Sequence, residues 1–69
     1  MNRLKILVLH KSGTFNEFID IQSMLGYLHR CGHLNNFQVV ATKGRRAIFF
    51  EKIDVVDLIK DIGEFQIQP

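Results

Sequence analysis

The stretch NFQVVATKGRRAIFFEK, from Asn36 to Lys52, has the pattern of a β-hairpin. Two apolar runs flank Lys43-Gly44, and a polar residue followed by glycine is a common two-residue hairpin turn. Because side chains alternate between the faces of a strand, this turn also assigns each residue to a face. The first face is a predicted core and carries Phe37, Val39, Ala41, Ile48 and Phe50. The second face carries Gln38, Val40, Thr42, Arg45, Ala47 and Phe49.

Length and composition predict a single small globular domain over residues 1–69. Hydrophobic residues make up 46% of the chain and charged residues 23%, which is not a disordered composition. A domain of this length buries only about 60% of the surface that its unfolded chain exposes. Since the single cysteine, Cys31, excludes an internal disulfide, a partner protein or self-association is the expected source of further burial.

Charge and hydropathy predict a cytoplasmic protein that does not contact a membrane. The apolar run Ile6–Leu9 is too short for a membrane span or a signal-peptide core. A formal net charge of +2 permits RNA as a partner without requiring it. No motif implies a cofactor. His29, Cys31 and His33 are metal-ligand residue types, but no fourth ligand accompanies them, so capping and packing roles are predicted instead of a metal site.

The first third of the chain predicts a strand followed by a helix. Leu4–His10 is apolar on both faces, which favours a buried strand. Thr14 and Glu17 have the spacing of a capping box, which predicts a helix that begins at Thr14. Gly32 is placed to end that helix in the left-handed conformation.

The last third predicts a second helix and a final strand. Asp54 is a favourable N-cap for a helix over Val55–Ile62, which Gly63 would end. Phe65 and Ile67 then alternate with polar residues, and this alternation predicts a short strand.

The resulting order is strand, helix, strand, strand, helix, strand. This is the ferredoxin-like βαββαβ arrangement, an α+β fold with a four-stranded antiparallel sheet and both helices on one face. Its first and third strands are central. A parallel, doubly wound fold is the alternative topology, but the tight hairpin disfavours it because parallel strands need a long crossover.

The segment KGRRAIFF, from Lys43 to Phe50, resembles the octamer on the third strand of the RNA-recognition-motif family. Lys43, Gly44, Ile48 and Phe50 match its basic, glycine, aliphatic and aromatic positions, and the predicted order of elements matches as well. The resemblance covers about residues 4–68. It implies a ferredoxin-like fold and the binding of single-stranded RNA.

The chain departs from that family where bases would stack. The third and fifth octamer positions are Arg45 and Ala47, and the corresponding position of the first strand is Leu7. Stacking on an aromatic ring contributes about 1–3 kcal/mol per base, so most of this affinity is lost. The residues that remain for RNA are Lys5, Lys43, Arg45 and Phe49.

The sheet face without helices is the predicted functional surface. If Ile6 and Val8 point to the helices, their neighbours on the strand point away. An apolar patch with a polar rim is typical of an interaction surface, and aliphatic side chains do not read bases. The sequence therefore predicts a non-catalytic protein that binds a partner protein or a second copy of itself. The predicted contact residues are Leu7, Leu9, Val40, Ala47 and Phe49.

A catalytic or small-ligand site at His10–Thr14 is the remaining alternative. Lys11-Ser12-Gly13-Thr14 would precede a helix, and the free amides of a helix N-terminus bind anions. His10 is an acid–base candidate beside this loop. The alternative predicts a concave pocket at that place.

Overall fold

A computed structural model describes residues 3–32 and 36–67, which form two helices and one four-stranded antiparallel sheet. The α+β class and the antiparallel sheet are as predicted. The order of elements differs from the prediction. Within the described ranges, no helix has the length and apolar character needed to cross a membrane. The elements are β1 (Leu4–His10), β2 (Phe15–Phe18), α1 (Ile21–Cys31), β3 (Phe37–Lys43), β4 (Arg46–Phe50) and α2 (Val55–Ile67). The order of the strands across the sheet is β2-β1-β3-β4.

The core lies between the central strands and the two helices. Ile6 of β1 pairs with Ala41 of β3, and Val8 pairs with Val39. All four side chains are buried, and they form one cluster with residues from both helices. Both helices therefore cover the same face of the sheet. The helical members of the cluster are Met24, Leu28, Leu58, Ile62 and Phe65.

β1 is buried on one face only, so the prediction that both its faces are buried is wrong. Lys5 is exposed, and Leu7 and Leu9 are half-buried. The apolar residues of the second face have no cover from any described element. This face is the open face.

The segment after β1 is a strand, and the predicted helix start at Thr14 is wrong. Phe15–Phe18 pairs antiparallel with β1, which places Phe15 opposite Leu9. The turn is closed by the His10 amide, which donates to the Thr14 carbonyl at 2.8 Å. The strand pairs four residues with β1 and places Phe18 against the core cluster, and these contacts outweigh the local capping signal.

α1 begins later than predicted and ends where predicted. Its N-cap is Asp20, whose carboxylate accepts from the Ser23 amide at 2.7 Å and from the Ser23 hydroxyl at 3.1 Å. Gly32 ends the helix with a φ of 74°, and its amide donates to the Leu28 carbonyl. Glycine adopts this left-handed conformation without the steric cost that a Cβ atom adds.

A split βαβ unit runs through β2, α1 and β3. Both strands are antiparallel to β1, so they are parallel to each other with β1 between them. The ferredoxin-like prediction contains the same kind of unit. In the prediction its first strand is Leu4–His10, whereas in the structure its first strand is Phe15–Phe18. As a result Phe37–Lys43 is central in the structure, and Arg46–Phe50, a central strand in the prediction, is an edge strand.

The hairpin of β3 and β4 turns one residue later than predicted. Lys43 pairs with Arg46, so the turn is Gly44-Arg45. Gly44 has a φ of 64° and Arg45 is not in the positive region, a pattern typical of a type II′ turn. As a result, each residue of β3 pairs with a residue of β4 that lies two positions later than the predicted partner. Because side chains alternate with a period of two, the predicted faces are unchanged.

α2 continues through Gly63 to Ile67, and the predicted last strand is wrong. Leu58, Ile62 and Phe65 are four and three residues apart, which places them on one buried helical face. The predicted N-cap is confirmed, because the Asp54 carboxylate accepts from two amides of the first turn at 3.0 and 3.3 Å.

Two glycine substitutions test the extent of the helices. Apart from neighbours in the chain and the helix's own backbone, no atom lies within 4 Å of a Cβ atom built at Gly63 or at Gly32, so the effect of each substitution should depend mainly on backbone conformation. Gly63→Ala should raise the free energy of unfolding by about 0.5–1 kcal/mol, because alanine favours a helix interior. Gly32→Ala should lower it by about 1 kcal/mol, because its φ is left-handed. Urea unfolding followed by circular dichroism measures both, and a loss at Gly63 equal to that at Gly32 would contradict the helical assignment.

Candidate functional site: the open face of the sheet

An apolar row crosses all four strands of the open face. Leu9 lies opposite Phe15 of β2, and Leu7 lies opposite Val40, which lies opposite Phe49 of β4. Neighbouring strands are about 4.8 Å apart, so the row spans roughly 14 Å from one edge strand to the other. Phe15 is 60% exposed and Phe49 is 56% exposed, while the three central members are half-buried. These five residues are the open-face row.

The structure brings the predicted contact residues together on the open face. Leu7, Leu9, Val40 and Phe49 belong to the row, and the exposed Ala47 lies beside it on β4. The predicted set lacks Phe15, because the capping-box pattern assigns that residue to a helix. The sequence does contain a signal for a strand at Phe15, because the Ser12-Gly13 pair after a strand is also typical of a hairpin turn.

The two charged residues within strands on the open face neutralise each other. Lys5 Nζ lies 3.4 Å from Glu17 Oε1, and the side chains are 54% and 48% exposed. An ion pair this exposed contributes only about 0–1 kcal/mol to stability. The pair matters more for the charge of the surface, because it leaves the strands of the open face without net charge.

Two of the four residues predicted for RNA binding are held by other groups. Lys43 lies on the helix side of the sheet, opposite Leu4, and its ammonium donates to the Gln66 carbonyl near the end of α2. Lys5 is paired with Glu17. Of the other two, Arg45 is exposed in the hairpin turn and Phe49 is on an edge strand.

The aromatic residues of the open face lie at its two edges, on β2 and β4. The centre is aliphatic, with Leu7, Leu9 and Val40 on the two central strands. Bases stack on aromatic rings and on guanidinium planes. The centre of this face therefore has no stacking surface for a base.

The alternative site at His10–Thr14 is a hydrogen-bonded hairpin turn. Ser12 Oγ lies 2.8 Å from His10 Nδ1, which also accepts from the Ser12 amide at 3.1 Å. Ser12 Oγ also lies 3.2 Å from Thr14 Oγ1. A hydroxyl beside an imidazole is a pairing used in nucleophilic catalysis. Here the groups are exposed, lie two residues apart and close their own turn.

The anion-site interpretation of this turn is wrong, because a strand follows it and no helix N-terminus is present there. A groove of about 510 Å³ lies near the turn and is lined in part by His10, Phe37 and Glu51. Ser12 and Thr14 do not line it. The groove therefore does not contain the Ser12 and Thr14 hydroxyl groups, as the catalytic alternative would require.

Cys31 has a packing role at the end of α1. Its thiol is hydrogen-bonded to Tyr27, four residues earlier, and this bond raises the pKa of the Tyr27 phenol above its usual value. Cys31 also packs against the core cluster. Within residues 3–32 and 36–67, no three His, Cys, Asp or Glu side chains are arranged to hold a metal ion. His33 lies outside the described residues.

Comparison of this chain with family models, curated proteins and solved structures found no match. The resemblance to the RNA-recognition-motif family therefore has no support from a family model.

Three phenylalanine substitutions test which rings are exposed. Phe15→Asp and Phe49→Asp should each change the free energy of unfolding by less than about 1 kcal/mol, because both rings already contact water. Phe37 is 4% exposed and packs in the core. Phe37→Asp should prevent folding, because it buries an unpaired carboxylate. Urea unfolding at low protein concentration measures these effects, and equal losses at all three positions would place Phe15 and Phe49 in the core.

Proposed function

We propose that this protein is non-catalytic and acts by protein–protein contacts through the open-face row. The observation that supports this most directly is the continuous apolar row with exposed Phe15 and Phe49 at its ends. Isolated exposed apolar residues are common on protein surfaces. A contiguous row in the middle of a sheet, bordered by polar side chains, is typical of an interaction surface.

Covering this row provides a favourable free energy of binding. Full burial of a phenylalanine contributes about 1.5–3 kcal/mol, so covering the exposed part of each ring contributes about 1–2 kcal/mol. The half-buried Leu7, Leu9 and Val40 add further apolar area at the centre. Aromatic side chains that become buried are frequent energetic anchors of interfaces, and the contacts around them exclude water.

A protein partner fits the open face better than RNA does. Affinity for RNA depends mainly on cations that contact phosphates. On this face Lys5 is neutralised by Glu17, and the ammonium of Lys43 is directed to the helix side. The aliphatic centre desolvates well against another apolar surface. The RNA alternative rests on Arg45 and Phe49 alone.

Photo-crosslinking tests the proposal whatever the identity of the partner. A benzophenone amino acid replaces Phe49 on the open face or, as the control, Val56 on α2, which is 72% exposed. After irradiation in cells that naturally produce the protein, position 49 should yield an adduct that ribonuclease leaves intact and protease removes. Position 56, the control, should yield far less of this adduct.

Two results would contradict the proposal. The first is the absence of any adduct from position 49 under conditions in which the labelled protein is folded. The second is an adduct that ribonuclease removes, which would favour the RNA alternative.

A further inference from the structure

We infer that the occupant of the open face is a second copy of this chain, so that two sheets pack face to face in a symmetric dimer. This inference rests on the proposed function and adds the identity of the partner. It follows from the shape, the charge and the area of the face.

The open-face row is self-complementary in shape. It crosses the strands on a diagonal from Phe15 to Phe49, with a step of two residues between Leu9 and Leu7 on β1. A two-fold rotation about this diagonal places each phenylalanine against its counterpart and Leu7 of one copy near Leu9 of the other. The apolar row of one copy then lies against that of the other, which is the isologous contact of a two-fold dimer.

The open face is the surface of a four-stranded sheet, which favours a second sheet as its partner. Amphipathic helices bind in hydrophobic grooves, and three grooves of this protein have volumes of about 340–510 Å³. Leu9 borders one of these grooves and Ala47 another, but Leu7, Val40 and Phe49 line none of the three. A second sheet packs on a flat sheet at a separation of about 10 Å, with the side chains of the two faces interdigitated.

The charge of the face permits self-association even though the whole chain carries a formal charge of +2. The charged residues on its strands are Lys5 and Glu17, which already form an ion pair. Two copies therefore bring together strands without net charge, so repulsion between like charges on the strands does not oppose a dimer.

The area of the face is enough for a weak dimer. Four strands of four to seven residues give an area of roughly 350–400 Å². With the relief of the side chains, two faces bury on the order of 1,000 Å², which is the lower limit for a specific interface. Phe15 and Phe49 supply the aromatic anchors. We therefore expect a dissociation constant in the micromolar range.

Sedimentation equilibrium over protein concentrations from about 1 µM to about 500 µM tests this inference. The wild-type chain should change from monomer to dimer within this range. Phe15→Asp and Phe49→Asp should each raise the dissociation constant at least about tenfold, because they place carboxylates in the apolar contact. Val56→Asp, on the exposed surface of α2, should change it less than about twofold.

Two outcomes would overturn the inference. A wild-type chain that stays monomeric at the highest concentration excludes the second copy, while the crosslink from position 49 still decides whether another protein binds there. A dimer that persists in both face variants places the contact on another surface. Circular dichroism confirms that each variant is folded, and Phe15→Ser and Phe49→Ser replace any aspartate variant that is not.

Discussion

The antiparallel pairing of β1 with β3 is the constraint on which the rest of the structure depends. Its register sets Ile6 opposite Ala41 on the helix side and Leu7 opposite Val40 on the open face. Because side chains alternate, a slip of one residue would exchange these two sets and place Leu7 in the core. The same pair also determines where the edge strands attach, since β2 joins β1 and β4 joins β3. One register thus defines both the core and the candidate binding surface.

The helices then decide which face is covered. Both α1 and α2 contribute to the cluster on the helix side, with Met24 and Leu58 among its fully buried members. Two helices are enough to cover one face of a four-stranded sheet, and the described elements provide none for the other. The apolar residues that remain outside are aliphatic at the centre and aromatic at the edges. This composition favours contact with another apolar surface over contact with bases.

The strands and their faces could be predicted from the sequence where alternation is strong. The predicted bounds of Leu4–His10 are the observed ones, and the faces of the hairpin survive an error in the position of its turn because that error moves partners by two residues. Two other segments are predicted wrongly because their sequences are compatible with both a helix and a strand. Thr14 and Glu17 have the spacing of a capping box, but pairing with β1 makes the segment a strand. Phe65 suits both a strand and a helix, and its spacing from Ile62 and Leu58 makes it part of a buried helical face. Most of the candidate surface follows from the correct faces, and Phe15 is missed together with its strand.

The most direct test of the central claim is a concentration series of methyl NMR spectra. Ile6, Val8 and Val39 carry methyl groups on the helix side, and Leu7, Leu9 and Val40 carry them on the open face. If two copies associate through this face, raising the protein concentration should shift or broaden the methyl signals of Leu7, Leu9 and Val40 and leave those of the helix side nearly unchanged. Concentration-dependent changes confined to other methyl groups, or no change at any methyl group, would contradict the account.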